Sequence, residues 1–271
     1  MTAIKYRFAD VDGLRVFYRE AGSADAPALL LLHGFPSASH MFRDLIPLLA
    51  DRLHIVAPDL RGHGLSPKDP PWDLSAHLRD VRETLDGAGI ARAPFIGFSF
   101  GGRLAMELLA AERSRVEKLV LFDPAIQFDP KGVLARTAEL LEDTSWGSAE
   151  EAIESRVASG NAPYSPREHW ELWAEGLVTG ADGRFRLPFS RPAAITIYSE
   201  LATPPPPFAS LRIPTLLIVG AESRLVTPTQ RERYKHDLGD YLEIATVRAR
   251  HNVIADAADE VGAAVKAFLA R

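Results

Sequence analysis

Gly97-Phe98-Ser99-Phe100-Gly101, with Gly102 behind it, stands between a strand-like run (Pro94 to Phe98) and a stretch rich in helix formers (Leu104 to Ala111). A chain that passes from strand to helix in so few residues must turn sharply, and the residue at the apex is forced into a strained backbone region. Side chains two residues to either side would collide, and glycine at 97 and 101 removes the clash. The helix that follows aims its free N–H groups and positive dipole end at the Ser99 oxygen, where negative charge would develop. Two other readings compete. A phosphate cradle fails, because no Lys-Ser or Lys-Thr follows and the chain holds no G-x-G-x-x-G. A plain packing turn is the second, and it gives the serine no task.

Around this turn the chain alternates short apolar runs with helical spacing. Phe8 to Val11 and Leu14 to Arg19 flank Asp12-Gly13, a dipeptide suited to a tight hairpin. Ala28 to Leu32 is apolar on both faces, as a buried strand is. His54 to Pro58, Pro94 to Phe98 and Lys118 to Phe122 repeat the strand signal, with helical spacing at Met41 to Leu49, Leu74 to Leu85 and Leu104 to Ala111. Alternation at these lengths predicts an α/β fold with a mostly parallel sheet covered on both sides.

From Ile126 to Pro207 the rhythm changes to helices: Val133 to Leu141, Ala149 to Ala158, Glu168 to Leu177 and Ala193 to Leu201. Three of the four tryptophans, Trp146, Trp170 and Trp173, lie there, and the proline run Pro204 to Pro207 is a stiff boundary. Thr215 to Val219 and Leu242 to Val247 resume as strands before an amphipathic helix at Ala257 to Leu269. The expected division is a core of residues 1–125 and 208–271, with residues 126–207 inserted after the sixth strand.

Several function classes are set aside by composition. The 271 residues include no cysteine, so disulfide frameworks, zinc–cysteine sites, iron–sulfur clusters and cysteine nucleophiles are excluded. A formal charge of −5 lacks the basic footprint that nucleic acid demands. The amino-terminal ten residues have no apolar core of signal-peptide length, and the longest apolar run is far short of the roughly 18 residues of a membrane helix. A cytoplasmic protein without membrane association is therefore expected. Neither H-E-x-x-H nor paired histidines at ligand spacing with carboxylates occurs, so neither a metal nor a cofactor is expected.

His33-Gly34-Phe35-Pro36 follows the apolar run directly. Beside a strand–serine–helix turn it matches the other half of an oxyanion hole, made by the backbone N–H groups of Phe35 and Phe100. His33 itself reads as structural. Together with Val56-Ala57-Pro58-Asp59-Leu60-Arg61-Gly62-His63-Gly64-Leu65-Ser66 and His251-Asn252-Val253, these stretches make the chain resemble the α/β-hydrolases of the capped serine esterase and lactonase type, from about Leu14 to the end. The resemblance implies a mostly parallel eight-stranded sheet with helices on both faces, residues 126–207 as a helical cap, and catalytic residues in the order serine, acid, histidine.

On that order the histidine is His251, on the loop before the last helix. His40, His54, His63, His77, His169 and His236 have no comparable placement and are expected to be mostly solvated or locally bonded. Arg250 stands where the family usually has glycine. The acid is less plain, because the resemblance puts Ser223 where the family's aspartate is expected. Asp123, at the end of the sixth strand, is favoured because that strand end faces the same rim as Ser99, and Glu222 is the alternative. The expectation is a serine hydrolase cleaving carboxylic esters or lactones of small, apolar substrates, supported by Phe35, Phe98, Phe100, Trp146 and Trp170 near the pocket. Carbon–carbon bond hydrolysis, cofactor-free perhydrolysis and a ligand-binding protein without catalysis stay open, as does a homodimer. A serine at the turn argues against haloalkane dehalogenase and epoxide hydrolase chemistry, which needs a carboxylate nucleophile.

Overall fold

The computed structural model describes residues 3–142, 144–159 and 164–271. Met1 and Thr2, part of the stretch read for an export signal, and residues 143 and 160–163 of the expected cap lie outside these.

Asp12-Gly13 joins β1 (Lys5–Val11) to β2 (Leu14–Ala21), with Val11 opposite Leu14. Both turn residues have positive φ, 48° and 78°, as a two-residue hairpin of this type requires. The apolar runs become β3 (Ala28–Leu32), β4 (His54–Pro58), β5 (Ala93–Phe98) and β6 (Val116–Phe122). After the inserted segment, which holds a hairpin of β7 (Val178–Thr179) and β8 (Phe185–Arg186), come β9 (Thr215–Gly220) and β10 (Leu242–Val247). The main sheet has eight strands in the order β1-β2-β4-β3-β5-β6-β9-β10, and every pairing from β4 to β10 is parallel. Only β2 runs against the rest.

Period two divides the central strands between two cores. Leu30, Leu32, Phe95, Leu119, Leu121 and Leu217 face one side, against α2 (Leu74–Gly87) and α3 (Phe100–Ala111). Leu29, Leu31, Ile96, Val120, Phe122 and Ile218 face the other, against α1 (Ile46–Leu49) and α9 (Val253–Leu269). The strands are thus buried on both faces, which is why they read as continuous apolar runs.

Among the described residues, four helices, α4 (Pro130–Leu141), α5 (Ala149–Ser159), α6 (Arg167–Ala174) and α7 (Arg191–Leu201), lie between β6 and β9 as a helical cap. The expected helix over Met41 to Leu49 is instead a 3-10 turn, Ser39–Phe42, followed by the short α1. Pro47 sits in the first turn of α1, where its missing N–H is harmless, and could not sit inside a longer helix. α8 (Pro228–Leu238) has no counterpart in the sequence reading. It supplies the crossover that parallel β9 and β10 need. Among the described residues, no helix is long and apolar enough to cross a membrane.

Candidate active site

All the expected site residues lie past the carboxyl ends of parallel strands. Ser99 caps α3 with φ 52° and ψ −117° and is 7% exposed. The strain is tolerated because the surroundings determine it: Ser99 N–H donates to Phe122 O (3.1 Å), and Ser99 O accepts from Gly102 and Ala125 N–H (2.9 and 3.0 Å). A Cβ on Gly97 would lie 2.3 Å from Gly101 O, and one on Gly101 would lie 2.1 Å from Leu32 O. Gly34 is needed for a related reason. A Cβ there would come within 2.7 Å of Ser99 Cβ, so its absence brings the β3 loop up against the serine. Among the described residues, neither Phe35 N–H nor Phe100 N–H finds an acceptor.

His251 Nε2 lies 3.1 Å from Ser99 Oγ, and its Nδ1 lies 2.7 Å from Asp123 Oδ2. Its ring stacks on Phe98 at 4.8 Å, which fixes its plane. The loop reaches β9 because residue 220 has no side chain, since a Cβ on Gly220 would meet Arg250 O at 2.0 Å. Ala221 and Glu222 N–H donate to Val247 and Ala249 O (2.8 and 3.0 Å), joining the two loops.

Asp123 is fully buried, with φ 39°. Ser223 Oγ donates to Asp123 Oδ2 at 2.6 Å, while Asp123 Oδ1 is buried without a partner among the described residues. The serine that stands in place of an acid thus supports the acid one strand away, a role that sequence reasoning missed. Glu222 is bound elsewhere. It accepts from the Tyr164 hydroxyl and lies 3.9 Å from Arg250 Nε. Arg250 N–H donates to Asp256 Oδ2 at 3.1 Å.

His33 is buried, with Nε2 accepting from Leu60 N–H (2.8 Å) and Nδ1 donating to Gly34 O (3.0 Å), so it ties the β3 loop to the β4 loop. The other histidines are less exposed than expected. His40, His63 and His77 are buried where the cap and α2 close over the strand ends, and His54 is buried at the opposite, amino end of β4. Burial pushes His40 down to about 4, His77 down to about 3 and His63 well below the ordinary range, so these rings stay neutral. His54 and His169 face Glu20 and Asp44, each at 2.9 Å.

A cavity of about 850 Å³ opens over Ser99 and His251, between the sheet and the cap. Phe35, Phe98, Phe100, Trp146 and Trp170 all line it. Phe35 is held edge-on by Phe189 and Tyr198, 5.0 and 5.5 Å away. The wall also carries Arg156, which sequence reasoning did not single out. Among the described residues, no group of three or more His, Cys, Asp or Glu could hold a metal ion.

A family model described as the alpha/beta hydrolase fold matches residues 27–258. The chain belongs to the α/β-hydrolase family. It is 26% identical over 294 residues to a haloalkane dehalogenase of Bradyrhizobium diazoefficiens, covering 98% of this chain and 94% of that protein. It is 32% identical over 181 residues to lipase LipV of Mycobacterium tuberculosis, covering 67% of this chain and 69% of that one. Among solved structures, E-2-(acetamidomethylene)succinate hydrolase superposes with a TM-score of 0.87 at 23% identity, over 99% of this chain and 100% of that one. That likeness concerns the fold. The α/β-hydrolase relatives are hydrolases with different named activities, so the bond cut must be argued from the site.

Proposed function

We propose that this α/β-hydrolase is a serine hydrolase that cleaves carboxylic esters, lactones included, through an acyl-enzyme. The observation that carries the reading is the relay Ser99 Oγ–His251 Nε2–Asp123 Oδ2, at 3.1 and 2.7 Å. Ser99 attacks the carbonyl carbon as His251 Nε2 takes its proton. Asp123 holds the imidazole with Nδ1–H toward the carboxylate and stabilises the cation that forms. The unpaired N–H groups of Phe35 and Phe100 receive the oxyanion, each such donor being worth about 2.7–4 kcal/mol to the transition state. His251 returns the proton to the departing alcohol, and water, activated by the same imidazole, then frees the acid.

Serine at the turn weighs against the carboxylate-nucleophile reactions of dehalogenases and epoxide hydrolases. The aromatic wall supports a substrate with apolar surface. The test is incubation with a fluorophosphonate probe, followed by a panel of p-nitrophenyl esters of rising chain length with several lactones. Stoichiometric labelling at Ser99, lost in Ser99→Ala, together with ester turnover, is the expected result. Folded protein that neither labels nor turns over would make the chain a binding protein instead.

A further inference from the structure

The arginines on the cavity wall differ in one respect. Arg136 and Arg186 carry their own carboxylates, Glu139 Oε2 at 2.6 Å and Asp182 Oδ2 at 2.7 Å, and Arg43 lies 4.0 Å from Glu175. Arg156, on α5, has no such neighbour. Among the described residues, no carboxylate lies within ion-pair distance of its guanidinium, and no side chain or carbonyl accepts a hydrogen bond from it. Its Nε is buried without a partner, while the side chain as a whole keeps partial exposure on the cavity wall. The guanidinium carbon lies over the Trp173 ring, 5.2 Å from the centroid.

An enclosed cation without an acid is costly, because its hydration is lost and nothing ionic replaces it. The Trp173 face recovers a part of that cost and holds the guanidinium plane. It leaves the edge of the fork, the part that matches a carboxylate in two parallel N–H···O bonds, without a partner. Acids elsewhere on the wall do not supply one. Asp129 already accepts from Lys131 and Gly132 N–H, Glu139 is held by Arg136, and Glu142, also on the wall, makes no ion pair with Arg156.

We infer that Arg156 is an anion-recognition residue, and that the substrate is an ester or lactone bearing a carboxylate remote from the scissile bond. The proposal rests on the serine hydrolase reading and narrows it. The apolar middle of the substrate lies along the aromatic wall, its reacting carbonyl at Ser99 and its charged end on Arg156. A volume of about 850 Å³ admits the monoester of a short dicarboxylic acid.

The test compares p-nitrophenyl hydrogen glutarate with p-nitrophenyl pentanoate, which have acyl chains of equal length and differ in the terminal charge. Wild type should favour the hemi-ester in kcat/KM. Arg156→Gln should cut kcat/KM for the hemi-ester about 10- to 100-fold more than for the pentanoate, the range expected when a charged hydrogen-bond partner is lost. Arg156→Lys should recover part of the difference. A wild type without preference, or an Arg156→Gln variant that lowers both esters alike, overturns the assignment. Glutarate binding by calorimetry reads the same site without turnover. Heat released by wild type and lost in Arg156→Gln keeps Arg156 as an anion-recognition residue even if neither ester is cleaved and Ser99 is not labelled, in which case the hydrolase reading fails and the ester with it. No glutarate binding to folded wild type, with no hemi-ester preference, removes the proposal alone.

Discussion

Two carboxylates competed for one imidazole, and what separates them is a single backbone angle. Asp123 and Glu222 stand past the ends of adjacent strands, β6 and β9, and both types of side chain could orient a histidine. The positive φ of Asp123, 39°, turns its carboxylate under the His251 ring, while Glu222 is taken up by Tyr164 and Arg250. The sequence favours Asp123 only through the rim that its strand end faces and leaves Glu222 open, because no residue type announces such an angle. Ser99 was legible from its own neighbours, and His251 from the family's catalytic order and its place on the loop before the last helix. Asp123→Asn should lower kcat by around 10⁴-fold, by favouring the wrong tautomer, with the fold kept. Glu222→Gln should leave kcat nearly unchanged, and steady-state kinetics with a circular dichroism control reads both. Ser223 adds a graded case. Its hydroxyl is 2.6 Å from Asp123 Oδ2, and the other carboxylate oxygen already lacks a partner. Ser223→Ala should therefore cost about tenfold in kcat/KM, the worth of one hydrogen bond to a charged group. It should leave KM for a neutral ester little changed, since Ser223 acts through Asp123 and not on substrate.

The elements that were easiest to foresee are those buried on two sides. β3 to β6 read as continuous apolar runs because both faces of the sheet are covered. α8 was missed because it lies on the surface: of Pro228–Leu238 only Tyr234 and Leu238 are buried, too few to make a helical stripe. The cap hairpin was missed for another reason, its strands being two residues each, below the length at which alternation can be seen. α9 shows how a boundary goes astray. The helix was expected from Ala257, and in fact begins at Val253 under an Asn252 cap, with Ala257 itself non-helical at φ −147°. The kink hid the first turn, which is the turn that follows the histidine. The strand–serine–helix turn makes its own prediction at this scale. Gly101→Ala places a methyl 2.1 Å from the Leu32 carbonyl oxygen, a backbone atom that cannot step aside cheaply. The variant should lose at least about 1–3 kcal/mol in urea denaturation. It should lose fluorophosphonate labelling more steeply than stability, because the atoms that must move are those that place Ser99.

Across the whole molecule, closing a cap and α2 over the strand ends has a consequence for pH. His40 and His77 are enclosed, and burial holds them near 4 and near 3, against about 6.5 for an exposed ring. At pH 7 both rings are neutral in the folded chain and mostly so in the unfolded one, so they add little pH dependence there. Below about pH 6.5 the unfolded chain takes up protons that the folded one refuses, so stability must fall as pH falls. Each ring removes about 1.4 kcal/mol per pH unit through that range, until the folded protein itself takes the proton near pH 4 or 3. Between pH 6.5 and 5, mostly above the range where ordinary carboxylates titrate, the two rings together should cost about 3 kcal/mol. Urea denaturation at 25 °C, at half-unit steps from pH 7.5 to 5, reads this as a steady drop in extrapolated unfolding free energy. His77→Phe separates the cause from ordinary acid weakening. Whatever that substitution costs at pH 7, the variant has one ring fewer to protonate on unfolding, so its slope between pH 6.5 and 5 should be shallower by about 1.4 kcal/mol per unit. A slope equal to that of wild type would mean that His77 accepts its proton while still folded, and that the packing around α2 opens far more readily than its burial implies.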